Sequence, residues 1–191
     1  ANAIELVLTK PYSKRFIEQS ISILRKYTDL TSILTLTSTK DLVKYEEIVN
    51  LAFKNGIDFV TLDLTLEAEL LRRLINNSGY TKIIGSYVDT TGELKWGNDD
   101  FLGYYKFAQV LNADLIKLVG TATSIVDNFE LENFRAKLAD SNLISYNLSD
   151  FGVLSRVTNP LLTSISKSES IKQLNSLYYK IGGGLTKKYY V

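Results

Sequence analysis

The chain has 191 residues, 45% hydrophobic and 23% charged, and its 22 basic against 21 acidic residues leave a formal net charge of +1. That is enough apolar material for one globular domain with a sizeable core, and too much for a disordered chain. There is no cysteine and no histidine, which excludes disulfides, thiolate catalysis and Cys-ligated metal, and removes the side chain that most often moves protons at neutral pH. The basic residues gather in nothing longer than "LRK", "LRR" or "TKK", so no nucleic acid and no membrane is expected as a partner. No apolar run approaches the roughly 20 residues that span a bilayer, and no basic region leads into an apolar stretch at the start. A cytoplasmic location is expected, with small-molecule or protein partners.

In chain order, "AIELVLT" near Ile4 reads as a strand, followed by the amphipathic "SKRFIEQSISILRKY" with Phe16, Ile17, Ile21 and Leu24 on one helical face. The strand "TSILTLT" near Ile33 leads into "DLVKYEEIVNLAFKNG", a helix with Leu42, Ile48, Val49, Ala52 and Phe53 inward and Gly56 as its C′ residue. Further strands are expected at "DFVTLDLT" near Val60, "TKIIGSYV" near Ile84, "DLIKLVG" near Ile116 and "NLISYNL" near Ile144, with a weaker one at "LLTSI" near Leu162. Seven strands alternating with helices predict an α/β fold with a parallel sheet, either doubly wound or closed as a (β/α)8 TIM-type barrel. No "GxGxxG" or "GxxxxGK" follows the first strand, which favours the barrel over a nucleotide-binding sheet. Seven strands fall one short of eight, and barrels usually need about 250 residues, so the first strand is expected to be missing. Ala1 directly before a strand and the apolar "KKYYV" at the close suggest a piece of a longer polypeptide. "GGG" at 182–184 is the linker-like spot.

In either fold, ligands sit at the C-terminal strand ends, where this chain offers Glu5, Thr37, Asp63, Val88 with Asp89, Lys117 and Asn147. Lys117 alternates with Leu115 and Val119 on one strand face. Desolvation there favours the neutral amine that imine chemistry needs, while a lysine that snorkels to water or pairs with Glu5 is the other reading. Glu5 is either the ion-pair partner or an acid–base group. Arg156 in "GVLSRVTNP" suits a bidentate carboxylate clamp or a solvated helix edge. "DNFELENFRAKL" reads as a charged helix with spaced apolar positions and no chemistry of its own.

Taken together, "GYTKIIGSYVDTTGELKW", "NADLIKLVGTATSIVDNFELENFR" and "GVLSRVTNPLLT" resemble the type I 3-dehydroquinate dehydratase (3-dehydroquinase) domain of fungal pentafunctional AROM polypeptides. The likeness is close over about residues 79–165 and looser on either side. "NAIELVLT" is similar to the family's second barrel strand, and "LTKKYYV" to the start of a shikimate dehydrogenase domain. The resemblance therefore implies a barrel domain over 1–184 and the start of a following domain over 185–191. It implies a (β/α)8 fold and conversion of 3-dehydroquinate to 3-dehydroshikimate in the shikimate pathway of aromatic amino acid biosynthesis. Lys117 matches the imine-forming lysine, Glu5 the glutamate of the second-strand motif, Arg156 the arginine that holds the substrate carboxylate, and Gln173 the glutamine of the closing loop. No cofactor and no metal is implied.

The departures carry the sharper expectation. Where the family has His-His-Asp, this chain has Tyr87, Val88 and Asp89, so Val88 occupies the place of the catalytic proton shuttle. Two arginine clamps become Val7 and Thr37, the aspartate near the first becomes Thr9, and the acidic pair of the next strand becomes Thr61 and Asp63. The closing Ala-Pro-Gly-Gln loop reads Ser170, Ile171, Lys172, Gln173. An inactive or severely impaired dehydratase is expected, kept as a connecting domain beside shikimate kinase and shikimate dehydrogenase domains. The alternative is a ligand-sensing domain of a fungal quinate-pathway transcriptional repressor that binds a 3-dehydroquinate-type ligand. The family's barrels commonly dimerise, which makes a homodimer one expected assembly.

Overall fold

A computed structural model of the protein describes residues 3–9, 13–37 and 41–163. Six strands alternate with six helices among them: β1 Ala3–Leu8, α1 Lys14–Tyr27, β2 Thr31–Leu36, α2 Leu42–Lys54, β3 Phe59–Asp63, α3 Ala68–Asn76, β4 Lys82–Val88, α4 Asp99–Val110, β5 Leu115–Thr121, α5 Val126–Leu138, β6 Leu143–Leu148 and α6 Val153–Thr158. The sheet order is β1-β2-β3-β4-β5-β6, and β1 to β4 pair in parallel. Sequential order is that of a (β/α) barrel; a doubly wound sheet would reverse direction from its first strand. Of the expected seventh strand, Leu161, Leu162 and Thr163 are not in a strand, and Ser164 and Ile165 lie outside the described residues.

Helix boundaries follow local chemistry. Ser13 accepts from the Phe16 amide at 3.3 Å to start α1, and Asp41 accepts from the Lys44 amide at 3.0 Å to start α2. Gly56 follows α2 at φ +68, a left-handed turn that disfavours any side chain. The buried stripe of α1 runs through Ile17 and Ile21, and that of α2 through Tyr45, Ile48, Val49 and Ala52. Phe16 and Leu42, expected on those faces, are instead exposed. Phe16 precedes Ile17 by one residue, about 100° around the helix, which carries it off the stripe.

The chain divides into two compact units. One holds residues 3–87 and 102–117 and contains β1 to β4. At the N-terminal strand ends Asp58 accepts from the Ser32 amide at 2.8 Å and hydroxyl at 2.6 Å, and Asp114 accepts from the Ile83 amide at 2.7 Å. Each carboxylate ties a loop to the start of a neighbouring strand. Parallel register puts Val7, Thr35 and Thr61 level with one another, with Glu5, Ile33 and Phe59 one step below on the same face.

The other unit includes residues 88–101 and 118–163. Its centre holds a cluster of buried polar side chains. Asn147, 1% exposed, accepts from the Trp96 indole at 2.7 Å, and its backbone amide donates to Ser155 Oγ at 2.7 Å. Trp96 stacks on Phe101 at 3.9 Å. A Cβ on Gly120 would sit 2.8 Å from Asn147 Oδ1 and 3.0 Å from Trp96 Nε1, so glycine is what lets this pair lie against β5. Gly120→Ala is therefore expected to cost about 1–3 kcal/mol and lower the melting temperature. Gly103→Ala, in α4 with open space around it, is expected to raise stability by about 0.5–1 kcal/mol. Thermal or urea melts of both variants check the contrast.

Candidate functional site

The C-terminal ends of the strands are the place to look for chemistry in this architecture. Lys117, at the middle of β5, reaches Glu5 on β1 at 3.4 Å, with the two side chains 13% and 22% exposed. The same carboxylate oxygen of Glu5 accepts from Thr35 Oγ1 at 2.6 Å, and Thr35 Oγ1 lies 2.9 Å from Thr61 Oγ1. A hydroxyl has one proton and an ionised carboxylate has none. Thr35 therefore gives its proton to Glu5, and Thr61 donates to Thr35. The result is a directed row, Thr61 to Thr35 to Glu5, ending beside an ammonium. Sequence reasoning missed Thr35. Its signal was there in the alternation of "SILTLT", which puts Thr35 on the same face as Ile33 and level with Val7.

The other strand-end residues make contacts of their own. Thr37 spends its hydroxyl on the Leu8 carbonyl at 3.1 Å, and Thr9 and Val7 are exposed. Asp63 folds back onto its own turn, accepting from the Thr65 amide at 2.9 Å and hydroxyl at 2.7 Å. Val88 is 45% exposed at the end of β4. Tyr87 lies on the opposite side of that strand and stacks on Tyr104 of α4 at 3.6 Å. Arg156 on α6 donates through Nε to the Asn147 carbonyl at 3.1 Å. Gln173 and residues 185–191 lie outside the described residues.

Asp89 is the one carboxylate beside the place of Val88, and it is already committed. Only 4% exposed, it accepts from the Thr91 amide at 2.8 Å and hydroxyl at 2.7 Å, from the Gly92 amide at 3.1 Å and from the Leu94 amide at 3.2 Å. Its own amide donates to the Val119 carbonyl at 2.8 Å. Burial pushes the carboxyl up, but the hydrogen bonds from Thr91, Leu94 and Gly92 outweigh it and hold the pKa below the ordinary carboxylate value. A base whose lone pairs are all engaged is a structural anchor. Asp127 does the same at the start of α5, accepting from the Thr123 amide at 2.6 Å and the Ser124 amide at 3.0 Å, with Lys95 Nζ at 3.3 Å.

The "DNFELENFR" helix, read from sequence as carrying no chemistry, is a latch. Asn128, 1% exposed, donates to the Phe151 carbonyl at 2.7 Å and the Ile125 carbonyl at 3.0 Å. Arg135 donates to Ser145 Oγ at 2.9 Å, to the Ser145 carbonyl and to Glu132 at 2.6 Å. No cluster of three or more metal-ligating side chains occurs among the described residues, and no described helix is long and apolar enough to cross a membrane.

A family model described as type I 3-dehydroquinase matches residues 1–176. The chain belongs to the type I 3-dehydroquinase family. It is 35% identical over 210 residues to the pentafunctional AROM polypeptide of Komagataella phaffii and 36% identical over 209 residues to that of Candida tropicalis, with all of this chain covered in both. It spans 14% of the length of those relatives. Among solved structures, the dehydroquinate dehydratase and shikimate dehydrogenase region of AroM from S. pombe superposes with a TM-score of 0.87 at 31% identity, over 96% of this chain and 40% of that one. The type I 3-dehydroquinate dehydratase of Clostridium difficile shares the fold, with a TM-score of 0.75 at 18% identity over 94% of this chain and 82% of that one.

Within this 3-dehydroquinase fold the Asp89 anchor makes a testable statement about stability. Its folded pKa is depressed, so its contribution is fully present above the unfolded carboxylate pKa and is lost as pH falls through the folded value. Asp89→Asn is expected to cost about 1–3 kcal/mol at neutral pH by leaving turn amides without acceptors. In thermal melts across pH, the gap between wild type and variant should narrow as the wild-type carboxyl protonates.

Proposed function

We propose that this chain is the 3-dehydroquinase-like region of an AROM-type polypeptide of the shikimate pathway, and that it turns over 3-dehydroquinate very poorly or not at all. The AROM setting rests on the identity to AROM relatives across the whole chain. In that setting residues 1–184 act as the barrel domain, residues 185–191 open the next domain, and shikimate kinase and shikimate dehydrogenase domains are the covalent neighbours.

The loss of activity rests on one observation: where the resemblance expects the proton shuttle, β4 ends in Val88, and the adjacent Asp89 carboxylate is tied into its turn. The lysine half of the chemistry is present. Lys117 as a free amine would add to the substrate ketone and expel water, forming an imine. Elimination then requires a group to take the proton next to the imine carbon and to return a proton to the departing hydroxyl. Positioned acid–base groups contribute about 10²- to 10⁴-fold to such a step, and valine supplies none of it. Val7 and Thr37 stand where the resemblance places two arginines, so substrate orientation is weakened as well. Arg156 is left to bind the carboxylate. Binding without turnover is the behaviour that fits Lys117 and Arg156 in this setting, and it also suits a domain that senses quinate-type ligands.

In a dehydroshikimate-formation assay, the chain is expected to run no faster than its Lys117→Ala variant. Val88→His alone is expected to restore nothing, because the orientation of substrate is weakened at Val7 and Thr37 too. Turnover by the wild-type chain clearly above the Lys117→Ala background would overturn the proposal.

A further inference from the structure

The sequence has one asparagine followed directly by glycine, Asn55 and Gly56, and the fold places that pair at the C-terminal end of α2. Such a pair can react with itself. The Gly56 amide nitrogen gives its proton to a solvent base and attacks Asn55 Cγ, the Cγ–Nδ2 bond breaks, and ammonia leaves, closing a succinimide ring. Water then opens either carbonyl of the ring, giving aspartate or isoaspartate. No cofactor or oxidant is needed. Glycine favours the step because no side chain shields its nitrogen.

Local geometry opposes the ring closure. At Asn55 ψ is 5°, so the Gly56 nitrogen eclipses the Asn55 nitrogen, whereas the ring requires it to eclipse Cβ. The Cα–C bond of Asn55 must therefore turn, and the Asn55 carbonyl turns with it. That carbonyl accepts from Arg25 Nη1 of α1 at 2.9 Å. Arg25 also lies against the glycine: a Cβ on Gly56 would stand 3.0 Å from Nη1. From the α2 side, Asn55 Nδ2 donates to the Leu51 carbonyl at 2.8 Å, and the Gly56 amide donates to the Phe53 carbonyl at 3.2 Å. Gly56 itself is exposed, so water and base reach its nitrogen once these bonds open. We propose that Asn55 and Gly56 form a self-modification site, converting to aspartate and isoaspartate through a succinimide, and that Arg25 slows the reaction by holding the Asn55 carbonyl against the rotation that closes the ring. The product carries a carboxylate at the C-terminal end of α2, where the helix dipole disfavours negative charge. Isoaspartate also adds a methylene to the backbone just ahead of Asp58, the residue that ties the start of β2.

The test uses the whole chain, incubated at mildly alkaline pH both folded and in urea. Peptide mass spectrometry follows the change from amide to acid at Asn55. Asn77, at the end of α3 with ψ 0 and followed by Ser78, is the internal reference. In the wild type, the folded chain is expected to convert Asn55 at least about tenfold more slowly than the chain in urea, because several hydrogen bonds must open first. Arg25→Ala is expected to raise the folded rate about two- to tenfold, the worth of one hydrogen bond, and to leave the rate in urea unchanged. Arg25→Lys, which keeps a cation and loses the planar fork, is expected to fall between them. A folded wild-type rate equal to that in urea, an Arg25→Ala rate equal to that of wild type, or an acceleration shared equally by Asn77 overturns the proposal.

Discussion

A 3.4 Å contact between side chains on the first and fifth strands is the constraint from which the site follows. Neighbouring strands lie about 4.8 Å apart, so four spacings would separate β1 from β5 by roughly 19 Å in a flat sheet. A lysine and a glutamate cannot bridge that distance. Lys117 and Glu5 meet because the sheet curls between them, and the curl places the polar faces of β1, β2 and β3 within reach of one amine. Sequential strand order is what permits it, since each right-handed crossover adds the next strand on the same side. The row Thr61, Thr35, Glu5, Lys117 is thus a product of topology: residues 112 positions apart in sequence share one hydrogen-bonded line.

Charge within that line is kept to a minimum. Lys117 and Glu5 are both partly withdrawn from water, and desolvation of two ions is tolerable only if each keeps partners. Glu5 has a hydroxyl and an ammonium on one oxygen. Thr61, where the resemblance would place an acid, adds a neutral donor instead of a second negative charge. A carboxylate there would repel Glu5 and draw the ammonium toward itself. With threonine the row adds a hydroxyl and no further charge beside the Lys117–Glu5 contact.

The fold was largely legible in the sequence because its signals are local. β-branched runs, amphipathic helical periods, the Gly56 turn and the absence of a phosphate loop were sufficient to reach a parallel barrel-type sheet. Periodicity placed Lys117 and Glu5 on strand faces, and their pairing was one of the readings the residues allowed. What stayed hidden depends on which partner a polar group finds. Asn147 reads as a strand-end polar residue available for chemistry, yet the folded chain spends its amide on Trp96, 51 positions away. Asp89 reads as a spare carboxylate and is consumed by three amides and a hydroxyl within five residues. Thr35 reads as one β-branched residue among several. Alternation gives the face of each residue; hydrogen-bond allocation requires the neighbouring strand.

The same allocation separates the exposed strand ends from the buried network around β5, α5 and β6. Val7 and Val88 sit exposed at strand ends, at 46% and 45%. Substitution at such exposed positions leaves no buried group unpaired, and surface substitutions usually alter stability by no more than about 0.5 kcal/mol. Asn128, Asn147 and Ser155, each at most 1% exposed, are different. Every one is both donor and acceptor in a closed network, so removing one member orphans another at about 1–3 kcal/mol. The network resists piecemeal change while the rim of the site does not. Lys117 and Glu5 fall between these extremes: they form a semi-buried ion pair, and removing one member of such a pair leaves the other's charge less well compensated.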